Sequence, residues 1–387
     1  MFIFNVALLL YLYGTALTYT AIITIKEELV TVNGKFGFLM HIGDVTSSLF
    51  FQIELQSPFT YVSSSVVNRA SLANATSRSY GDVVVDNVNT SYEELSDSAR
   101  LNRNGHVTLK QFEFYYLNNN NISNICKYNA VSLSIMSLQQ GSSIVNYLYN
   151  DHYIHTKQFH LCGDSIYFGN INRTCIDSKY KTTLTNGGVP YWSSLLYTVA
   201  INGHVVYFSK NGSIVYFKAN DYAIRVPKGV YDIIERDVIK EFVDMKMCNV
   251  GFDVKEMRKF YSCAKGVREK MKGIKFGIGG YWFEMGKEEL FWEEGSEIFQ
   301  RFVIVANANE DDMSFTMGTQ FLKQYVLSFE YNGDTSRPNL IHVYSANDFI
   351  QCSDTNSGAS LKYHLIMTIY MLLLINALLL IIIKAVV

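Results

Sequence analysis

Residues 41–64 read HIGDVTSSLFFQIELQSPFTYVSS, and residues 213–234 read SIVYFKANDYAIRVPKGVYDII. Each holds a β-branched and aromatic run that breaks at a short polar turn and resumes as a second apolar run, the pattern of strand, turn and strand. Working outward, residues 36–64 and 196–227 emerge as distant copies of one unit: a strand, a short turn, a second strand and a small-residue elbow.

The same strand pattern recurs along the chain. Runs at 36–42, 49–55, 83–85, 106–114, 165–168, 198–206, 214–218, 278–284 and 326–331 are separated by Asn, Gly and Ser clusters such as NNNNISN at 118–124 and TNGG at 185–188. GIGGYW at 277–282 reads as a tight hairpin turn rather than a nucleotide loop, because its glycines lack the Gly-x-Gly-x-x-Gly spacing. One helix is expected after Pro227, in VYDIIERDVIKEFVDM, where Ile233, Ile234, Val238, Phe242 and Val243 fall at helical spacing.

Composition narrows the function. The 387 residues carry Lys+Arg 33 against Asp+Glu 35, a net charge of -2, which excludes a protein steered onto nucleic-acid phosphates. Aromatics make up 14%, with 27 Tyr and 25 Phe, as expected of a β-rich fold. Six cysteines without CxxC or CxxH spacing exclude the common zinc frameworks, and none of the eight histidines lies in an HExxH pattern, so no metal is expected. Ser63, Ser64 and Ser65 lack the Gly-x-Ser-x-Gly elbow of a serine hydrolase. Nothing calls for a cofactor.

The ends place the chain. FIFNVALLLYLYGTA at 2–16 is an apolar run closed by small residues, the shape of a signal peptide spanning 1–16. Residues 365–383 are apolar except for Thr368, Tyr370 and Asn376, and as a helix of ~28 Å they match a hydrocarbon layer of ~30 Å. They read as a C-terminal transmembrane helix behind a stalk at 354–364. Small residues Ser357, Gly358, Ala359 and Ser360 leave a removed GPI signal as the alternative. Either way the bulk of the chain faces an exported compartment, in the secretory pathway or at the cell surface. There the cysteines become a disulfide set, and the sequons at Asn74, Asn89, Asn121, Asn172 and Asn211 become usable for glycosylation.

At this point the residues carry a resemblance. The stretch at 41–64 resembles the pepsin-like aspartic proteases, in which an Ile-Gly leads into a strand, a catalytic Asp-Thr-Gly and a Leu-Trp-Val. YWSSLLYTVAINGHVVYF at 191–208 resembles the strand pair opening that family's second lobe, and 213–234 its second active-site strand. FTMGTQFLKQYVLSFEYNG at 315–333 resembles the closing strand, and FHLCGDSIYFGNIN at 159–172 a segment of the beta-secretases. The likeness extends over most of 36–350 and is nearest to membrane-anchored members such as beta-secretase and the plasmepsins. It implies an all-β, bilobal fold with a few short helices, an N-terminal lobe at 31–190, a C-terminal lobe at 191–353, and a cleft between them.

The family's chemistry needs two carboxylates sharing one proton, each in a tight Asp-Thr/Ser-Gly turn. Counting forward from Ile42 and back from Tyr61, which stands where the family has Trp, both lead to Glu54; the first turn is Glu54-Leu55-Gln56. Counting back from Pro227 leads to Lys218, and the second turn is Lys218-Ala219-Asn220. Neither aspartate nor either glycine is present, so no catalytic pair is intact. A carboxylate facing an ammonium would form an ion pair and could not perform the reaction. Asp221 is the fallback catalytic candidate, Asp44 reads as a turn residue, and Tyr92 in SYEELSD is a positional candidate for the flap that covers the cleft.

The resemblance also implies disulfides. Cys248–Cys263 would bracket a polar loop after the helix; Cys162–Cys352 follows from the beta-secretase likeness and leaves Cys126–Cys175, with Cys162–Cys175 and Cys126–Cys352 as the rival set. Three functions fit: a pseudoprotease binding a peptide or protein partner in its cleft, an active aspartic endopeptidase with a variant site, or a structural surface glycoprotein. The oligomeric state is left open.

Overall fold

The computed structural model describes residues 24–85, 88–101, 107–117, 128–170, 181–187, 189–253, 258–293, 299–333 and 338–345 of the 387. Strands dominate because apolar residues alternate along them. In Lys35–Ile42 the side chains of Phe36, Phe38, Met40 and Ile42 are buried on one face, and the strand pairs antiparallel with Leu49–Glu54, Gly37 opposite Gln52.

The two copies read from the sequence fold alike around their turns. In the first half, Leu49–Glu54 runs parallel to Asn129–Ser132, which pairs antiparallel with Tyr61–Ser63; Gln52, Ala130 and Tyr61 form one rung. In the second half, His204–Phe217 runs parallel to Phe315–Met317, which pairs antiparallel with Ile224–Val226; Tyr216, Thr316 and Arg225 form the matching rung. Gln52 and Tyr61 are nine residues apart, as are Tyr216 and Arg225. The turn after each first strand therefore starts at the same place: two residues past the rung stand Glu54 and Lys218.

These rungs lie in an eight-stranded sheet in the first half and a seven-stranded sheet in the second, which also has a separate four-stranded sheet. A six-stranded sheet joins the halves, with Gln158–Cys162 against Tyr325–Glu330 at its centre, Phe159 opposite Phe329. Those two rings stack at 4.7 Å, and Trp192 sets an edge against each. The indole N–H of Trp192 donates to the Leu133 carbonyl at 2.8 Å. Each of these fully buried rings contributes about 1.5–3 kcal/mol by transfer from water, so the join is apolar and firm.

Several sequence-based element boundaries are revised. The run at 198–206 is a hairpin, Ser193–Ile201 and His204–Phe217, turning at Asn202 and Gly203, and the second strand absorbs 214–217. Gly279 and Gly280, both at positive φ, split 278–284 into Ile274–Ile278 and Tyr281–Met285, so GIGGYW is indeed a hairpin turn. The strand Val88–Leu101 was hidden by its polar sequence. The helix begins after Pro227 and runs through Lys228–Ile234, a wider π turn at Glu235–Ile239, and Lys240–Asp244. The π turn shifts the buried face: Tyr231 and Ile239 are buried, whereas Ile233 and Val243 are only partly so.

Cys248 and Cys263 are disulfide-bonded as expected, but the segment between them is a hairpin, not a loop: Cys248–Asp253 pairs with Arg258–Ala264, and the two cysteines face each other across it. Cys162 forms no disulfide with any described residue; Cys126, Cys175 and Cys352 lie outside the described residues, as do Asn121, Asn172, 1–16 and 354–383. No helix among the described residues is long and apolar enough to cross a membrane. Asn74, Asn89 and Asn211 are exposed.

Candidate functional site

Glu54 and Gln52 share one face of their strand by the two-residue period. Both are buried, at 6% and 2% exposure, in a strand otherwise apolar on that face's neighbours. A buried carboxylate needs hydrogen-bond donors, and here amides supply them. Gln52 Nε2 donates to Glu54 Oε1 at 3.0 Å and to the Tyr61 hydroxyl at 3.2 Å. Lys35 Nζ donates to Gln52 Oε1 at 3.2 Å, which fixes which way the Gln52 amide points.

A further donor comes from the other half. Asn220 Nδ2 reaches Glu54 Oε1 at 2.5 Å. The turn bearing Asn220 is brought there by backbone contacts between the halves: Phe36 N–H donates to the Ala219 carbonyl at 2.8 Å, and Thr319 Oγ1 donates to the Gly34 carbonyl at 2.9 Å. Gly34, with φ +75°, lies so close to Tyr222 that a Cβ would come within 2.6 Å of it; only glycine lets this hairpin tip dock.

The ion pair expected between Glu54 and Lys218 is not formed. Lys218 is half-buried, its N–H donates to the Met317 carbonyl at 3.0 Å, and its ammonium joins no ion pair among the described residues. The physical reason is desolvation: a neutral amide is far cheaper to bury against Glu54 than an ammonium. Asp221 is likewise no partner for Glu54. Its carboxylate is paired with Arg225 and accepts the Ala223 N–H at 3.0 Å. Burial pushes its pKa up, but Arg225, the Ala223 N–H and Arg258 outweigh that and hold it below the usual carboxylate value. Asp44 is an exposed turn residue that accepts from Asn74 Nδ2.

A hairpin of Thr76–Val85 and Val88–Leu101 lies over this region. Tyr92 sits opposite Gly81 and stacks on Tyr115 at 4.2 Å, which stacks in turn on Phe59 at 4.9 Å. It is thereby committed to the hairpin's packing. Val84 and Val85, nearer the tip, line the cavity beside Glu54 instead, together with Pro58, Tyr61 and Tyr191. That cavity holds about 230 Å³.

The sequence singles out Glu54 and the two turns, Asn220 among them, but assigns no contact to Asn220 and does not mark Gln52 or Lys35, which the structure sets in the hydrogen-bond network of Glu54. Gln52 was legible in principle, as a second polar residue two positions before Glu54 on the same strand face. Chemically, the cluster presents one carboxylate held by amides. Proton-sharing catalysis would need a second carboxylic acid from the paired turn, and that turn offers Lys218, Ala219 and Asn220, with Asp221 committed to Arg225. No cluster among the described residues is arranged to hold a metal.

No family model matches the chain, and no curated protein matches it. Solved structures do. The crystal structure of the aspartic proteinase from Irpex lacteus superimposes with a TM-score of 0.59 at 11% identity, covering 86% of this chain and 100% of that one. At that identity the likeness shows the fold: a mostly β, bilobal aspartic-proteinase architecture.

Proposed function

We propose that this chain is a membrane-anchored member of the pepsin-like aspartic peptidase family, in the secretory pathway or at the cell surface, that binds a peptide or protein segment in its inter-lobe cleft without cleaving it. The observation that carries this reading is the occupancy of the two equivalent positions. Where the fold's internal symmetry would present a pair of carboxylates, the chain has Glu54 and Lys218, and Asn220 rather than an acid closes on Glu54. General acid–base hydrolysis of a peptide bond needs one group to take a proton from water while another donates to the carbonyl. One carboxylate, hydrogen-bonded by amides, supplies only the first.

What supports binding in the cleft is its covering and its walls. A hairpin still covers the site, and a cavity walled by Tyr61, Val84, Val85 and Tyr191 opens beside it. Anchorage and glycosylation are supported by the apolar run at 365–383, the signal-like run at 2–16, and exposed sequon asparagines at 74, 89 and 211.

The test is equilibrium binding of a degenerate pool of blocked hexapeptides to the purified full-length chain in detergent micelles. Saturable binding that is lost on replacing Val84, at the cavity wall, by Trp supports the reading; absence of saturable binding from pH 4 to 7.5 contradicts it.

A further inference from the structure

The strand His204–Phe217 is interrupted near its middle. Thr198 pairs with Phe208 and Leu196 with Ser213, so the single residue Tyr197 stands against the four at 209–212. Those four loop out of the ladder while the loop's ends stay about two strand rises, ~7 Å, apart. The hydroxyls of Tyr207 and Ser213 bond at 2.7 Å across its base, and Gly212, at φ +76°, turns the chain back into the ladder. Within the loop lies Asn211 of the sequon Asn211-Gly212-Ser213. It is exposed, and its side-chain amide makes no hydrogen bond among the described residues. Phe208, three residues earlier, is 69% exposed. Of the five sequons only this one has an aromatic residue within the three positions before its asparagine.

From this we infer that Asn211 carries an N-linked glycan whose first N-acetylglucosamine packs on the ring face of Phe208. The inference rests on the exported placement proposed above and not on peptide binding. The bond forms between Asn211 Nδ2 and the anomeric carbon of that sugar. The amide gives up one proton, and the sugar leaves the diphosphate of its lipid-linked donor as the chain enters the exported compartment. A pyranose presents one face of C–H groups, whose slight positive charge suits the negative face of an aromatic ring. Packing the two removes apolar area of both from water. Because the loop's ends are already held by pairing, little further ordering is needed, and the glycan stabilises the folded chain. Trp282 supplies the comparison. Trp282, Gly277, Thr198 and Phe208 form one rung across four strands. Trp282 is 54% exposed, on the same face as Phe208 but three strand spacings, ~14 Å, away and beyond the first sugar.

The full-length chain is made in a host that glycosylates, and the peptides bearing Asn74, Asn89 and Asn211 are weighed before and after glycan removal. Thermal melts then compare the glycosylated chain with Asn211→Gln, each with and without Phe208→Ala; all these positions are exposed, so the variants are expected to fold. The Asn211 peptide should carry the glycan, and the glycan should raise the midpoint by about 2–4 °C, the size of one aromatic face contact in a domain this large. The shift should survive trimming to the first sugar, should survive Phe208→Tyr and Trp282→Ala, and should vanish in Phe208→Ala. No shift in the parent, a shift that persists in Phe208→Ala, or one lost equally in Trp282→Ala overturns the packing. An unmodified Asn211 beside a modified Asn74 or Asn89 overturns this inference alone. No modification at any of the three overturns the exported placement as well.

Discussion

The amide of Asn220 spans the junction between the two halves and donates to the carboxylate of Glu54 at 2.5 Å. The residue symmetry-related to Glu54 is Lys218, yet the contact is made two residues further on. A neutral donor thus satisfies a buried acid at the place where the fold brings its two turns together.

That relationship separates two neighbouring substitutions. Asn220→Ala removes a hydrogen bond to a buried charge and should cost about 1.5–3 kcal/mol in denaturant unfolding. Lys218→Ala removes a half-buried side chain that joins no ion pair among the described residues, and should stay within about 0.5 kcal/mol of the parent. The reverse order of the two would mean that Lys218, not Asn220, holds the junction.

Asn220→Asp would set two carboxylates against each other, and like charges that close cannot both ionise. The folded state would then hold a proton that the unfolded chain has released at neutral pH. Stability contributed by that proton is present below the ordinary carboxylate pKa and is lost as pH rises above it. The Asn220→Asp chain should therefore lose more stability than the parent between pH 4 and pH 7, by roughly 1–3 kcal/mol. Thermal melts across that range decide it.

Asp221 has the opposite sign. Its folded pKa is depressed, so its contribution is fully present above the ordinary carboxylate value and is lost as pH falls through the lowered one. At pH 7, Asp221→Asn leaves Arg225 without the carboxylate it pairs with and should cost about 2–4 kcal/mol. The penalty should shrink in melts carried progressively further into acid below the ordinary carboxylate value, as the parent carboxyl is itself protonated.

His160 governs an intermediate window. Its ring is buried in the six-stranded sheet, Nε2–H donates to the Gly169 carbonyl at 2.7 Å, and Nδ1 has no hydrogen-bond partner among the described residues. Burial lowers its pKa to about 4. The unfolded chain takes up a proton near pH 6.5 and the folded chain does not until about pH 4, so stability falls as pH drops through that interval, by roughly 2–3 kcal/mol. His160→Gln should flatten the slope in part; His342, also lowered by burial, keeps the rest.

Gly318 follows the strand Phe315–Met317, beneath the Asp221 turn. A Cβ there would press into the carbonyl oxygens of Asp221 and Ala223, and backbone cannot rotate away as a side chain can. Gly318→Ala should destabilise by about 3 kcal/mol or more. The equivalent strand in the first half ends at Ser132, where a side chain is accommodated and its hydroxyl bonds the Ser57 carbonyl. An unchanged midpoint for Gly318→Ala would contradict the packing described.

How much of this was legible in sequence follows from the range of each interaction. The duplicated unit shows because strand periodicity and turn residues are local, and the equal spacing of Gln52–Tyr61 and Tyr216–Arg225 fixes its register. Val88–Leu101 escaped because both its faces carry polar residues, held in place by pairing with strands on either side. Tyr92 was assigned to the flap by position, but its ring is taken up by Tyr115, a partner that strand pairing alone brings near. The Glu54–Lys218 ion pair was the natural inference from two opposite charges at equivalent positions. It failed because sequence gives the positions of charges and not the cost of drying them, and Asn220, two residues away, offered a cheaper donor.

The central claim is that the cleft binds and does not cut. The most direct measurement is the mass of peptide recovered after prolonged incubation with the full-length chain from pH 3 to pH 7, with and without pepstatin. The account predicts intact peptide at every pH. Products that disappear with pepstatin, and with Glu54→Gln, would contradict it and identify a working aspartic peptidase.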